Sequence, residues 1–241
     1  MSFLFCCRSS CLSTVDESAE SSAERQPILP AESARQSRPP AQAVAKQKGK
    51  ILTKLVGVSE LDQHFADIRD MFNQQQGHYE TMTKTLQALR GSYGCSNGNS
   101  FSECLKRIME EHCAAEVRLQ VRGFELTLAV SGELSDRLQR TQEQVRSLGQ
   151  AATAVVAAGP KLKNMTGWVL QEEAQQAERV REASASHQER RRLEANLREN
   201  LQDVRRVGEL SASYRVEADA FLKEAIALAH TLSTEDSTPA P

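Results

Sequence analysis

Residues 61–89 read LDQHFADIRDMFNQQQGHYETMTKTLQAL. Within them Leu61, Phe65, Ile68, Phe72, Gln75, Tyr79, Met82, Leu86 and Leu89 follow one another at steps that alternate four and three. That spacing places all nine side chains on one stripe of an α-helix, the 3.5-residue repeat of a heptad seam. Gln75 is the single polar member. A helix of about 33 residues is about 50 Å long, and a stripe of this kind is buried against another helix rather than used to bind a cofactor. Ser59, with Asp62 three residues later, has the form of a helix start.

Downstream of this helix, Gly91 to Ser100 contains three glycines and two asparagines. Such a run makes a loop, long enough to turn the chain back on itself. Ser100 and Glu103 form a capping-box signature for a second helix. Its stripe begins with Phe101, Leu105, Ile108, His112, Ala115 and Leu119, drifts through Val117, Val121, Phe124 and Leu128, and resumes at Leu134, Leu138, Thr141, Val145, Leu148, Ala152 and Val155. A drifting stripe in a continuous helix is a stutter. Gly159-Pro160 is expected to end this helix, because proline lacks the ladder N–H. A third helix then starts near Lys161. Its middle, 171–192, is almost wholly polar, and the seam returns as Leu193, Leu197, Asn200, Val204, Val207, Ser211, Tyr214, Ala218, Phe221 and Ala225. The expectation is an all-α protein of long antiparallel helices, a three-helix bundle or coiled coil in up-down-up order. The helices span about 58–90, 100–158 and 161–232, with a short tail at 233–241. Leu61, Phe65, Ile68, Phe72, Leu193, Leu197, Val204, Val207, Tyr214 and Phe221 are the seam residues expected to meet other helices. Narrow seams with few aromatics further imply self-association or a complex with helical partners.

The composition agrees with long helices. Of 241 residues, 5% are aromatic and 26% charged, and 30 basic residues face 32 acidic ones, for a net charge of −2. No basic excess is present to hold a nucleic acid by bulk electrostatics. Catalytic triads, H-E-x-x-H, phosphate-binding loops and kinase signatures are absent from the sequence. The six cysteines, Cys6, Cys7, Cys11, Cys95, Cys104 and Cys113, contain no C-x-x-C pair. No catalytic residue, metal site or cofactor is therefore expected, and the chain is read as non-enzymatic. The arginine-rich stretch around Arg190-Arg191-Arg192 is interleaved with glutamates, the pattern of a solvated helix face. Trp168 is read as a packing anchor.

Residues 1–57 form a separate block rich in Ser, Ala, Glu, Gln and Pro. Such a segment buries too little apolar surface to offset its ordering entropy, and it is expected to be a disordered arm. Its apolar start, Phe3-Leu4-Phe5, is too short for a secretory signal. Cys6 and Cys7 sit beside those residues, with Cys11 close by. Cysteines flanked by apolar residues suit reversible S-acylation, and two or three acyl chains hold a membrane where one does not. Position 2 is Ser2, which excludes N-myristoylation. Farther along, Glu24-Arg25-Gln26-Pro27-Ile28-Leu29 resembles the acidic dileucine sorting signal read by clathrin adaptors. Glu24 would meet a basic patch, and Ile28 and Leu29 would fill an apolar slot.

A cysteine pair followed about 17 residues later by an acidic dileucine is similar in layout to the lipid-anchored scaffold subunits of the Ragulator type on late endosomes. The likeness is confined to the arm. It implies a lipid-anchored scaffold or adaptor on the cytoplasmic face of endosomal or lysosomal membranes. The alternatives are a membrane-curvature dimer similar in plan to BAR domains and a soluble cytoskeletal or ciliary coiled-coil protein of the cytoplasm.

Overall fold

The computed structural model describes residues 49–96, 100–123 and 125–235. The protein is all-α in class, with one small β-hairpin. In chain order its elements are α1 (Ser59–Ser92), α2 (Phe101–Glu111), a 3-10 turn (Cys113–Ala115), β1 (Val117–Arg122), β2 (Glu125–Val130), α3 (Asp136–Gln171), α4 (Glu173–Ala183) and α5 (His187–Glu235). Three long helices lie side by side. His64 of α1 packs on Trp168 of α3, Gln75 donates to the Val155 carbonyl at 2.9 Å, and the Tyr93 hydroxyl sits 2.7 Å from that of Thr141. The paired numbers run in opposite senses, so α1 and α3 are antiparallel. Phe72 and Tyr79 both stack on Tyr214, and Phe101 packs on Phe221. Gly159 and Thr166 of α3 lie beside Arg215 and Gly208 of α5, so α3 and α5 are antiparallel, and α1 and α5 are parallel.

Burial follows the stripes. Leu61, Phe65, Ile68 and Phe72 of α1, Leu148, Val155 and Leu162 of α3, and Val204 and Val207 of α5 are all at or below 2% exposure. Leu201 and Leu210 are buried as well, which widens the α5 stripe beyond a two-position seam to the broader face of a globular helix. Each such side chain contributes about 1.5–3 kcal/mol relative to exposure.

The segment expected as one helix over 100–158 is instead three elements. Ser100 caps α2 as a full capping box: its hydroxyl accepts from the Glu103 N–H, and its own N–H donates to the Glu103 carboxylate, each at 3.2 Å. The helix stops at Glu111. Residues 117–130 then form an antiparallel hairpin in which Val117 faces Val130, Leu119 faces Leu128 and Val121 faces Leu126. This apolar face lies on the helices, while Arg118, Gln120 and Arg122 stand on the other side. The drifting stripe was therefore a strand alternation. Strands and helices share the i, i+4 step, and Val117, Val121 and Leu128 satisfy both. Gly123, at φ +63°, supplies the positive φ of the hairpin turn. Gly149 of α3 lets β2 approach, since a Cβ there would stand 2.6 Å from Leu126 Cβ.

Gly159-Pro160 does not end a helix; α3 runs through it to Gln171. An interior proline costs about 3 kcal/mol, yet Val155 and Leu162 on either side are fully buried, and packing on both neighbours keeps the helix continuous across it. The breaks occur later. Glu172 separates α3 from α4, where the Gln176 amide donates to the Val169 carbonyl at 3.0 Å, a carbonyl the helix end would leave unpaired. The reversal into α5 falls at 184–186. Ser186 accepts from the Glu189 N–H at 3.2 Å, and the Glu189 carboxylate accepts from the Ala185 N–H at 3.0 Å. Two expectations at the front also change. Ser59 is the first residue of α1 rather than its cap, and residues 49–57 are not a disordered end of the arm but an ordered part of the body.

Candidate functional site: the clamped strap

Residues 49–57 cross the outside of α1 and α5 as an extended strap. An extended segment with no neighbouring strand leaves backbone groups to satisfy, and here side chains do it. Asn73 of α1 takes both groups of one residue: the Ile51 N–H donates to Asn73 Oδ1 at 3.0 Å, and Asn73 Nδ2 donates to the Ile51 carbonyl at 3.1 Å. Asn200 of α5 repeats the grip on Lys54, at 3.0 and 2.7 Å. A carboxamide used this way imitates the donor and acceptor of an adjacent strand. Asn196 Nδ2 donates to the Leu55 carbonyl at 2.8 Å, and the Val56 N–H donates to Asp62 Oδ1 at 2.7 Å. Ile51 and Val56 plug into the core at 1% and 0% exposure, while Leu52 and Leu55 face outward at 79% and 73%. Lys54 pairs with Glu199 at 2.6 Å, and Arg69 donates to the Thr53 hydroxyl at 3.3 Å. Gly57, at φ +79°, makes the turn into α1.

None of the strap's anchors was singled out for this role in the sequence. Asn200 reads there as a member of the α5 seam; in the structure its amide is occupied by a backbone 146 residues away. Asp62 reads as a partner in a helix cap, and it holds the strap instead. The available signal was the apolar pattern Ile51-Leu52 and Leu55-Val56 inside a segment otherwise poor in such residues, together with Asn196 and Asn200 one helical turn apart.

The ten seam residues are brought together. Leu61, Phe65, Ile68, Phe72, Leu193, Leu197, Val204, Val207, Tyr214 and Phe221 are all buried against other parts of the same chain. They are not displayed to a second molecule. Cys6, Cys7, Cys11, Glu24, Ile28 and Leu29 lie outside the described residues.

Polar groups in the body are engaged structurally. Tyr79 stacks on Tyr214 with ring centroids 4.0 Å apart and donates to Glu217 at 2.5 Å; burial first, then that bond, pushes its phenol well above the ordinary tyrosine value. The Tyr93 hydroxyl lies 2.7 Å from that of Thr141 and 3.1 Å from His112 Nε2, and the Arg137 guanidinium covers its ring. Burial pushes the Cys104 thiol up to about 12, which suppresses the nucleophilic thiolate. The arginines of α4 and α5 pair with glutamates: Arg179 with Glu60, Arg181 with Glu178 and Glu194, and Arg205 with Glu173. A groove of about 420 Å3 between α3 and α5 is lined by Gly159, Lys163, Thr166, Ser211, Arg215 and Val216, among others. Among the described residues, no three His, Cys, Asp or Glu side chains gather to hold a metal ion, and no helix is long and apolar enough to cross a membrane. Comparison with family models, curated proteins and solved structures finds no match to the chain.

Proposed function

We propose that the protein is a non-enzymatic, lipid-anchored helical scaffold or adaptor on the cytoplasmic face of endosomal or lysosomal membranes. Acyl chains on Cys6, Cys7 and Cys11 dock it, the Glu24, Ile28 and Leu29 signal directs it through a clathrin adaptor, and the helical body recruits helical partners or a second copy. The observation that carries the reading is the strap. A tether is useful to a scaffold only if it is fastened to the rigid part, and the segment that follows the arm is gripped by α1 and α5 through four side chains. Because the seams are buried within the chain, partners meet the outer faces of the helices.

The test is fractionation of the full chain in cells. The Cys6→Ser/Cys7→Ser/Cys11→Ser variant is expected to move from membranes to the soluble fraction and to lose incorporation of an alkyne fatty acid. Ile28→Ala/Leu29→Ala is expected to stay on membranes but leave endosomes and lysosomes. An unchanged membrane fraction in the triple variant removes the lipid anchor.

A further inference from the structure

The strap fixes its backbone yet turns two leucines away from the protein. Among the described residues, five large apolar side chains are exposed, and Leu52 and Leu55 are the most exposed of them. They stand three residues apart on a segment whose carbonyls and N–H groups are already bonded at Ile51, Lys54, Leu55 and Val56. Their exposure is therefore a property of an ordered surface and not of a fraying end.

The charge of the sequence that flanks them is unlike that of the rest of the chain. From Ser33 to Ser59 the sequence holds six cations, Arg35, Arg38, Lys46, Lys48, Lys50 and Lys54, and no Asp or Glu. Elsewhere the chain interleaves its charges, with 24 basic residues against 32 acidic ones. Lys54 is partly neutralised by Glu199; Lys50 is exposed, and Lys46 and Lys48, which lie outside the described residues, precede it in sequence. Apolar side chains displayed beside an exposed lysine, in a stretch of sequence without Asp or Glu, have the composition of an interfacial contact with anionic lipid. A protein partner of this segment would have to be both apolar and acidic, whereas the cytoplasmic leaflet supplies both features at once. The clamps matter because a segment already held in one conformation loses little further freedom on binding.

We propose that the strap is a second membrane contact, in which Leu52 and Leu55 enter the interface of an anionic bilayer while Lys50 lies on its headgroups. The proposal deepens the scaffold reading, since it places the body itself against the membrane to which the arm is tethered, but it does not depend on acylation.

The experiment uses the full chain produced without acylation, sedimented with phosphatidylcholine vesicles and with vesicles containing about 30% phosphatidylserine. Binding is expected to the second set only and to weaken as salt is raised. Leu52→Ser/Leu55→Ser is expected to lower the partition at least about tenfold, with an unchanged melting midpoint because both side chains are exposed. Lys50→Ser is expected to lower it by about fivefold. Val216→Ser, another exposed apolar residue, is expected to bind as the unaltered chain does. Absence of binding to anionic vesicles, or equal binding by the leucine variant, overturns the proposal. So does a dimer in light scattering that the leucine variant converts to monomer, since the strap is then a protein interface. If the acylated chain is on membranes in cells while the unacylated chain ignores vesicles, the lipid anchor stands and the strap contact falls.

Discussion

The strap over 51–56 and the seam over 61–72 adjoin in the chain and are held by different means. The seam buries Leu61, Phe65, Ile68 and Phe72 at 0–1% exposure, and its hold is the removal of apolar area from water. The strap buries only Ile51 and Val56 and is kept by directed bonds from Asn73, Asn196, Asn200 and Asp62. Apolar burial is nondirectional and tolerates shifts. A bidentate amide grip is lost when one atom is removed, and it leaves backbone groups unpaired. One region should therefore govern whether the body folds, and the other whether the strap stays on it.

The largest expected effect comes from the seam. Phe72→Ala is expected to cost about 3–5 kcal/mol, read from the urea midpoint, and to loosen the whole body. A smaller cost than that of the clamp variants would reverse the ranking drawn here. Next comes Asn200→Ala, expected at about 1–3 kcal/mol because the Lys54 N–H and carbonyl lose their partner. Its signature is trypsin cleavage at Lys54 under conditions where the unaltered chain resists. Asn200→Leu sharpens the distinction: if the residue only set helix register, the strap would remain protected, and the clamp requires that it be released. Gly149→Ala tests the third kind of contact, a close backbone approach. The added Cβ would meet Leu126 Cβ at 2.6 Å, and the net cost is expected at about 1–2 kcal/mol, the overpacking strain reduced by alanine's better helix propensity.

The last prediction leaves neutral stability untouched. Burial raises the phenols of Tyr79, Tyr93 and Tyr214 above the ordinary value, and these are the chain's three tyrosines. As pH passes about 10 the unfolded chain begins to lose its tyrosine protons while the folded chain keeps them. The unfolded state then binds fewer protons, so stability falls with rising pH. The contribution is present in full below about pH 10 and is lost above it. Tyrosinate absorbance is expected to appear together with the loss of helical circular dichroism; absorbance that rises while the helices persist would mean that the rings are not shielded.

The helices were legible where their periodicity was unambiguous. The α1 stripe and the α5 run from Leu193 to Ala225 need a helix, since no strand places steps of four and three on one face. The Ser100 capping box was equally plain, because both of its bonds lie within four residues. The hairpin was misread because Val117, Val121 and Leu128 suit either period. The members outside the helical stripe are Leu126 and β-branched Val130, with the turn at Gly123, while Leu119 fits a helical step from Ala115 as well as the strand alternation with Val117 and Val121. The reversal at Ser184–Ser186 carried its own mark in Ser186 and Glu189, which the polar surroundings of 171–192 obscured. Pro160 misled in the other direction: its local penalty is real, and packing between α1 and α5 exceeds it.

What the sequence determined alone was the helical class, the faces that must be buried and several helix ends, because those follow from spacing within a few residues. Tertiary structure decided which helix covers which, that α3 passes through its proline, that the seams are satisfied within one chain, and that 49–57 belongs to the body. Each of these rests on contacts between residues far apart in the chain, such as Lys54 with Asn200 or Tyr79 with Glu217, and local periodicity carries no information about partners at that separation.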